Sequence, residues 1–353
     1  MKIAFAVPGD ITTLTGGYIY DLRLMDSLIA SGVTVQHMAW GDSFPDARTQ
    51  DAAAALAQLH ALPEDQPALI DGLAYGALDT AGLRLVRAPL FALVHHPLAL
   101  EPGLDPAQAR AMALRERDNL SLARHVFVTS PHTAGLLIRD FGVGPERITV
   151  VRPGFAPPVA VGTLAPADPP LILSVGILAR RKGHDILLQA LAQITDLDWQ
   201  ADIVGRDHEP GMTAHLAAMI GDLHLGARVR LSGEVTREAL AARYGRATVF
   251  ALATRYEGYG IVFGEAMGHG LPIVSTRVGA VPETVGEQAG LLVPPEDPAA
   301  FAGALRRLLG DSALRGACAR ASLQAATSLA DWAGSARLVR DRMVPEMPTP
   351  GRG

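Results

Sequence analysis

Residues 248–276 read TVFALATRYEGYGIVFGEAMGHGLPIVST, and their pattern decides the fold. The apolar run TVFALA predicts a buried strand, EGYG a turn, the residues from about Ile261 a helix, and PIVST a second strand. Glu257 stands just before the glycines, and Glu265 lies about one turn inside the predicted helix. A strand, a turn, a helix and a strand in this order form one βαβ unit, which builds parallel sheets.

The same alternation of short apolar runs and longer amphipathic runs extends over the whole chain. Six strands are predicted in each half: KIAFAV, VTVQHM, ALI, FALVHH, HVFVTS and ITVVRP, then LILSVG, QADIVG, RVRLSG, TVFALA, PIVST and GLLVP. Between the halves, residues 153–170 are rich in Pro, Ala and Gly without a period, which predicts a connector. The 353 residues therefore predict two doubly wound α/β domains, with ligands in a cleft beyond the carboxyl ends of the strands.

Composition excludes several classes of protein. Apolar residues make up 49% and charged residues 19%, which fits a packed globular protein rather than a disordered or fibrous one. The net charge of −5 gives no basic face, so no nucleic-acid partner is expected. The single Cys318 excludes an intramolecular disulfide and is predicted to pack inside a helix. Without a membrane-spanning apolar run or a signal-peptide core, we expect a cytoplasmic protein.

The opening stretch has the chemistry of a diphosphate site. Gly258 and Gly260 let backbone N–H groups approach a ligand, and a helix N-terminus adds unpaired donors and partial positive charge. Glu265 would accept both hydroxyls of a ribose, and Glu257 would reach a sugar beyond the diphosphate. The alternative is that Glu257 caps the helix and Glu265 is a solvated helical side chain. The glycines and the flanking strands favour the first interpretation.

The segment 254–285 closely resembles the donor-site signature of the retaining family 4 glycosyltransferases, whose GT-B fold has two facing Rossmann-like domains. The resemblance implies that Glu257 contacts sugar hydroxyls and that Glu265 binds the ribose. The backbone residues that it implies in phosphate binding are Gly258, Tyr259, Gly260 and Ile261. The resemblance covers most of the chain and is most specific over residues 174–300.

A second basic turn lies in SVGILARRKGHDILLQAL, residues 174–191. Arg181 and Lys182 precede a predicted helix, where a guanidinium and an ammonium would neutralise a diphosphate leaving group; a solvated basic turn is the alternative. Lys182 is one of only two lysines in the chain, which favours the phosphate role. The family usually has an Arg directly after the strand glycine, where this chain has Ile177. Arg181, or else Arg180, is inferred to supply the missing charge.

In the first half, Gly16 and Gly17 lie between the first strand and the first helix, and FALVHHPLALEPGL (91–104) ends a strand with two histidines. In the family this glycine loop closes over the donor phosphates, and a histidine at the strand end contacts the transferred sugar, which the resemblance implies for His95. His96 would face away or toward the acceptor. Because no Asp, Glu or Cys nearby in the sequence completes a ligand set, no metal site is predicted.

Two further segments carry predictions. Residues 228–252 resemble the part of the family whose loop, near Gly233 and Glu234, lines the nucleobase pocket. Residues 328–343 predict a last helix that, in the GT-B fold, crosses back to the N-terminal domain. Its predicted apolar stripe consists of Trp332, Ala336, Leu338 and Val339.

These observations predict an acceptor-side domain at 1–160, a donor domain at 165–328 and a returning helix at 329–345. The resemblance implies a hexosyltransferase that moves a sugar from a nucleotide-diphosphate sugar to an acceptor hydroxyl with retention of anomeric configuration, using no metal or other cofactor. The residues expected to act in catalysis are His95, Arg181, Lys182 and Glu257. The sequence leaves open whether the acceptor is a saccharide, a lipid or a small molecule. It also leaves open whether the protein makes a weak peripheral contact with a membrane. A GT-B nucleotide-sugar 2-epimerase and a non-catalytic nucleotide-sugar-binding subunit are the alternatives.

Overall fold

A computed structural model describes residues 1–101, 103–155 and 165–344. The chain divides into two compact units: unit 1 comprises Met1–Gly154 and the chain from Ala330 onward, and unit 2 comprises Phe155–Leu329. Residues 156–164 of the predicted connector, and residue 345 of the predicted last helix, lie outside the described residues.

Each unit is built on a six-stranded parallel sheet, and every strand falls on a run predicted from the sequence. In unit 1 the strands are β1 (Lys2–Pro8), β2 (Thr34–Trp40), β3 (Ala68–Asp71), β4 (Leu90–Val94), β5 (His125–Val128) and β6 (Ile148–Val150). In unit 2 they are β7 (Leu171–Val175), β8 (Gln200–Val204), β9 (Val229–Gly233), β10 (Val249–Leu252), β11 (Ile273–Thr276) and β12 (Gly290–Val293).

Helices connect and cover the strands. Those of unit 1 are α1 (Gly16–Ala30), α2 (Thr49–His60), α3 (Gly72–Tyr75), α4 (Thr80–Arg84), α5 (Pro106–Leu122), α6 (Pro131–Phe141) and, at the end of the chain, α14 (Trp332–Met343). Those of unit 2 are α7 (His184–Leu191), α8 (Met212–Asp222), α9 (Arg237–Arg246), α10 (Ile261–Gly268), α11 (Val281–Val285), α12 (Pro298–Gly310) and α13 (Ser312–Ala326). Within the described ranges, no helix combines the length and the apolar character needed to span a membrane.

The order of the strands determines where each unit can bind a ligand. The sheet of unit 1 has the order β2-β1-β3-β4-β5-β6, so the chain reverses its direction of growth between β1 and β3. The sheet of unit 2 has the order β12-β11-β10-β7-β8-β9, and the reversal lies between β10 and β7. At such a switch point the loops that leave adjacent strands diverge to opposite faces, which opens a crevice at the carboxyl ends.

The last helix, α14, belongs to unit 1. Ala336, Val339 and Met343 are buried, and Ser335 Oγ donates to the carbonyl of Arg152 at 2.7 Å. One residue of the predicted apolar stripe is wrong: Leu338 is 50% exposed. Residues two apart on a helix lie on different faces, so Leu338 cannot share the face of Ala336.

Candidate functional site

The switch point of unit 2 brings together two residues from separate sequence motifs. Lys182 ends the short 3₁₀ turn Arg180–Lys182 after β7, and Glu257 follows β10. Lys182 Nζ donates to Glu257 Oε1 at 2.5 Å, and the two side chains are only 10% and 6% exposed. The interpretations of Lys182 as a solvated turn residue and of Glu257 as a helix cap therefore do not hold.

The electrostatics of this pair are those of two buried, opposite charges. Burial lowers the pKa of the Lys182 ammonium, while the charge of Glu257 and the hydrogen bond to it act in the opposite direction. A buried charge that loses its partner is strongly unfavourable, so each of these groups depends on the other or on a ligand that takes its place. The pair thus offers one cation and one carboxylate acceptor at the same point.

The backbone around the pair leaves donors open to a ligand. Both helices that follow the switch-point strands, α7 and α10, begin at a left-handed glycine, Gly183 with φ 66° and Gly260 with φ 84°. Neither N-cap residue provides a side-chain cap. In α7 the Asp185 carboxyl accepts from the N–H groups of Asp185 and Ile186, and in α10 Phe263 N donates to the Gly260 carbonyl at 3.0 Å. The other N–H groups of each first turn are left for another acceptor. Gly279 is required because a Cβ atom there would collide with the carbonyl oxygen of Glu257.

Glu265 lies in α10, where its carboxyl is held by Tyr244 of α9. Tyr244 donates its hydroxyl to Glu265 Oε2 at 2.9 Å, and its ring stacks on His269 with centroids 5.1 Å apart. Burial raises the pKa of Glu265, against the opposing effects of the Tyr244 hydrogen bond and the charge of Arg237. Glu265 is therefore not a solvated helical side chain, and among the described residues its Oε1 atom has no hydrogen-bond partner. The ribose role stays a prediction.

Arg255 stabilises the basic turn Arg180–Lys182 through hydrogen bonds. Its guanidinium donates to both oxygens of Asp185 at 2.8 and 2.9 Å and to the carbonyl of Arg180 at 2.6 Å. Its backbone N–H donates to the carbonyl of Arg181 at 2.7 Å. Within the described ranges, the guanidiniums of Arg180 and Arg181 form no ion pair, so the choice between them stays open. Ile177 is 7% exposed and supplies no charge.

Arg206 lies beside the unit 2 switch point and was not predicted from the sequence as a site residue. It follows Gly205 at the end of β8, and its carbonyl accepts from Leu178 N at 2.8 Å, which ties it to the loop after β7. Its Nε atom is buried and has no hydrogen-bond partner among the described residues. Burial, followed by the charges of Arg181 and Arg206, lowers the pKa of His208. An arginine directly after a strand-terminal glycine was the available signal.

The other donor-binding residues predicted in unit 2 lie at the carboxyl edge of its sheet. Gly233 ends β9, and its carbonyl accepts from Gly205 N at 2.9 Å. The Tyr259 carbonyl accepts from Thr284 Oγ1 at 2.8 Å, and its ring stacks with Phe155 at 6.3 Å. Gly258 and Gly260 flank Tyr259, and Ile261 is the first residue of α10.

The switch point of unit 1 holds a cluster that the sequence analysis did not foresee. His95 follows β4, and its Nε2 atom lies 2.9 Å from Asp21 Oδ1 of α1 and 3.4 Å from Asp71 Oδ2 at the end of β3. The reason given for predicting no metal site, that no Asp, Glu or Cys nearby completes a ligand set with the histidines, is therefore wrong. These aspartates are 74 and 24 positions away in the chain, which no local motif reveals. Folding brings them together because the carboxyl ends of parallel strands meet at one edge.

Protonation within this cluster follows from its burial. Both aspartates are 1% exposed. Burial, then the neighbouring charge of Asp21, raises the pKa of Asp71 to about 8. Burial alone would lower the pKa of His95, but the charge and hydrogen bond of Asp21 and the charge of Asp71 outweigh it, so that the pKa is raised. At neutral pH the cluster therefore favours a protonated Asp71, and the two aspartates favour binding of a proton by His95.

The first helix closes around His95. Gly17 lies beside the imidazole, since a Cβ atom there would be 3.7 Å from His95 Cδ2, whereas a Cβ atom at Gly16 would meet no neighbour. The Tyr20 ring meets His95 edge-on, with centroids 5.0 Å apart. His96 points elsewhere, with its Nε2 atom 3.9 Å from Glu101 Oε1.

The same cluster has the geometry of a potential metal site. Within the part of the chain that the structure describes, Asp21, Asp71 and His95 form the one group of three whose potential ligand atoms lie within 4.8 Å of one another. Hydrogen bonding between the imidazole and the carboxyl groups accounts for the same geometry. Whether the protein works without a metal stays a prediction.

Two family models match the chain. The model described as Glycosyltransferase Family 4 matches residues 27–157, and the model described as Glycosyl transferases group 1 matches residues 169–311. The first match lies in unit 1 and the second in unit 2.

The curated relatives that match the chain are also glycosyltransferases. A D-inositol 3-phosphate glycosyltransferase of Xylanimonas cellulosilytica is 30% identical over 259 residues, which are 69% of this chain and 62% of the relative. An MMP alpha-(1->4)-mannosyltransferase of Mycolicibacterium hassiacum is 31% identical over 245 residues, which are 63% of this chain and 56% of the relative. The matches span about three fifths of the length of these relatives.

Solved structures show the fold. A sucrose-phosphate synthase from Thermosynechococcus elongatus superimposes with a TM-score of 0.81 at 24% identity and covers 98% of both chains. Anabaena HepE in complex with UDP-glucose gives a TM-score of 0.77 at 18% identity, covering 98% of this chain and 100% of the other. The two six-stranded parallel sheets with their helices are thus a two-domain GT-B fold.

Proposed function

The chain is a family-4-like GT-B protein, and on that premise we propose that it is a glycosyltransferase that uses a nucleotide-diphosphate sugar. We propose that unit 2 binds the donor and that the sugar moves to an acceptor hydroxyl with retention of anomeric configuration. The observation that carries the proposal is the switch point of unit 2, where the buried Lys182–Glu257 pair lies beside two uncapped helix N-termini.

Each feature of that switch point matches one part of such a donor. The N–H groups at the starts of α7 and α10 are suited to phosphate oxygens. Lys182 and an arginine of the basic turn, Arg181 in this proposal, would neutralise the diphosphate. Glu257 would accept hydrogen bonds from sugar hydroxyls, and the free oxygen of Glu265 would accept them from a ribose. UDP is the first nucleotide to test, because the solved HepE structures contain UDP and UDP-glucose.

The proposed mechanism rests on stabilisation of the leaving group. As the glycosidic bond breaks, negative charge grows on the diphosphate and positive charge on the sugar ring. Fixed charges and backbone donors aimed at the diphosphate lower the barrier without reorganising during the reaction. The acceptor hydroxyl arrives on the face that the diphosphate leaves, and a diphosphate oxygen takes its proton. His95, at the switch point of unit 1, would contact the transferred sugar.

Donor binding is tested by Glu265→Ala. Losing a buried contact to a charged group costs about 1.5–3 kcal/mol, which corresponds to a roughly 10- to 150-fold weaker Kd for UDP in calorimetry. Because a ribose contact does not sense the sugar, the same loss is expected for UDP-glucose. Glu238→Ala, an exposed glutamate of α9, is the control and should bind UDP as the wild type does. Unchanged UDP affinity in Glu265→Ala would rule out the ribose role.

Turnover is tested by incubating the purified protein with UDP- and GDP-sugars and measuring release of the nucleotide diphosphate. Slow hydrolysis without an acceptor, accelerated by a suitable acceptor, supports the transferase. Conversion of the sugar to its 2-epimer would identify an epimerase instead. Tight donor binding without turnover across an acceptor panel would identify a binding subunit.

A further inference from the structure

The cluster around His95 contains two buried carboxyl groups that the proposed donor chemistry does not use. Asp21 and Asp71 come from different elements, α1 and the end of β3, yet both approach the same ring nitrogen, at 2.9 and 3.4 Å from His95 Nε2. Two carboxyl groups taken out of water are costly to bury, so this arrangement needs a compensating role or a compensating charge.

Packing restrains the ring further. Tyr20 meets the imidazole edge-on and donates its own hydroxyl to the carbonyl of Val151 at 2.8 Å, so the aromatic neighbour is itself fixed. Gly17, at the start of α1, lies beside the Cδ2 and Nε2 atoms of the ring. The His95 side chain retains 22% exposure, so part of it is open to a ligand.

The carboxyl groups are restrained too. Asp71 Oδ1 accepts from Leu73 N at 2.9 Å, which fixes the orientation of the group that presents Oδ2 to His95. Asp21 Oδ1 faces the imidazole, while its Oδ2 is buried without a hydrogen-bond partner among the described residues. The imidazole is thus the hydrogen-bond partner of Asp21 Oδ1, and a protonated Asp71 is a second hydrogen-bond partner of the Asp21 carboxylate.

We propose that Asp21 and Asp71 are positioning residues for His95: together they fix the proton on Nε2 and orient the ring, which leaves Nδ1 as the nitrogen that meets substrate. A carboxylate beside one imidazole nitrogen selects the tautomer with the proton on that nitrogen and thereby fixes the role of the other. The role of His95 toward substrate rests on the proposed glycosyltransferase function. The arrangement of the ring does not depend on it.

The ring is observed directly by NMR. The protein has 11 histidines, so ring-¹⁵N-histidine labelling gives a tractable spectrum, and His95→Gln identifies the His95 signals by their loss. In the wild type we expect a proton on Nε2 at every pH at which the protein is folded. In Asp21→Asn we expect neutral His95 to populate the other tautomer. Asp26→Asn, an exposed aspartate of the same helix, should leave the His95 signals unchanged.

Turnover gives the second readout. With UDP-glucose as donor, Asp21→Asn and Asp71→Asn should each lower kcat by about 10- to 100-fold, since a mispositioned imidazole loses most of its contribution. Their Kd for UDP should stay within twofold of the wild type, because UDP is proposed to bind unit 2. Circular dichroism separates folding defects, and Asn at position 71 retains the oxygen that accepts from Leu73.

The outcomes distinguish this inference from the proposed function. A wild-type His95 that carries its proton only on Nδ1 would overturn the positioning role, as would ring signals that both Asn variants leave unaltered. A stoichiometric metal in the purified protein that shifts the His95 signals on removal would overturn it in favour of a metal site. If no donor is turned over at all, the proposed function fails while the NMR test still decides the inference.

Discussion

The two switch points hold their buried ionisable groups in different arrangements. In unit 2 a lysine and a glutamate of opposite charge neutralise each other at 2.5 Å. In unit 1 two carboxyl groups of like charge converge on one imidazole, and burial with mutual repulsion raises the pKa of Asp71 to about 8. The first arrangement places a cation and a carboxylate side by side, where we propose that a nucleotide-diphosphate sugar binds. The second stores protons and fixes a ring.

The two regions also differ in how the chain builds them. Unit 2 is one continuous segment, whereas unit 1 needs the end of the chain, because α14 packs on it after the chain has left unit 2. A disturbance of the last helix should therefore act on unit 1 and leave the core of unit 2 intact.

Truncation after Leu329 is expected to have the largest effect on stability. It removes the buried side chains of Val339 and Met343 and the Trp332 ring that meets Tyr20 at 5.3 Å. Each large apolar side chain contributes about 1.5–3 kcal/mol by burial, so unit 1 should lose several kcal/mol. Hydrogen exchange followed by mass spectrometry should show faster exchange in β1 and β4, with β7 and β10 unchanged.

A chain that ends at Val344 is the control for this truncation and should exchange like the wild type. Equal acceleration of exchange in both units would contradict the assignment of α14 to unit 1 alone. We also expect the last helix to limit hydrolysis of the donor, so the same truncated protein should show a higher ratio of hydrolysis to transfer.

Lys182→Ala should have the largest effect on turnover. Charge on the diphosphate grows as the bond breaks, so kcat should fall by about 10²-fold, more than the donor KM rises. The variant also leaves Glu257 buried without its partner, which costs about 3–5 kcal/mol of stability in comparable pairs. Lys2→Ala, at the only other lysine, is the control.

A second variant separates the catalytic role of Lys182 from its structural role. Lys182→Met combined with Glu257→Gln removes both charges together, so much of the lost stability should return while turnover stays low. A Lys182→Ala enzyme with most of the wild-type kcat would leave the lysine with a structural role only.

How far the sequence could predict these sites depends on where their residues stand in the chain. All twelve strands fall on runs read from apolar patterning, because buried parallel strands are continuous apolar segments. Lys182 and Glu257 stand in glycine-rich turns after strands, so local pattern marks them. Asp21 lies within a helix and Asp71 at the end of the short run ALID, and neither has a local signal. Only the strand order places them beside His95.

The like-charged cluster should appear in the pH dependence of stability. Because the folded-state pKa of Asp71 is raised to about 8 from the ordinary value of 3.8, the folded protein binds this proton more tightly than the unfolded chain does. Its contribution is therefore fully present below the unfolded pKa, is lost as pH rises toward 8, and changes by at most about 1.4 kcal/mol per pH unit. The raised pKa of His95 acts in the same direction.

Urea unfolding between pH 5 and 8 measures this effect. The free energy of unfolding of the wild type should fall with pH more steeply than that of Asp71→Asn, which cannot titrate at this position. Parallel pH profiles would mean that the carboxyl pair is solvated or charge-compensated in another way.

Chelation is expected to have the smallest effect, and it tests both switch points at once. In unit 2 we expect Lys182, a neighbouring arginine and two helix N-termini to supply the positive charge that a divalent ion would otherwise bring to a diphosphate, so donor turnover should survive EDTA. In unit 1 the imidazole of His95 already pairs with both carboxyl groups, so we expect EDTA to leave the stability of unit 1 unchanged as well. Loss of turnover with recovery by manganese, at unchanged stability, would place a metal on the donor diphosphate. Loss of unit 1 stability would instead place it among Asp21, Asp71 and His95, so the pattern of the two readouts assigns any metal to one switch point.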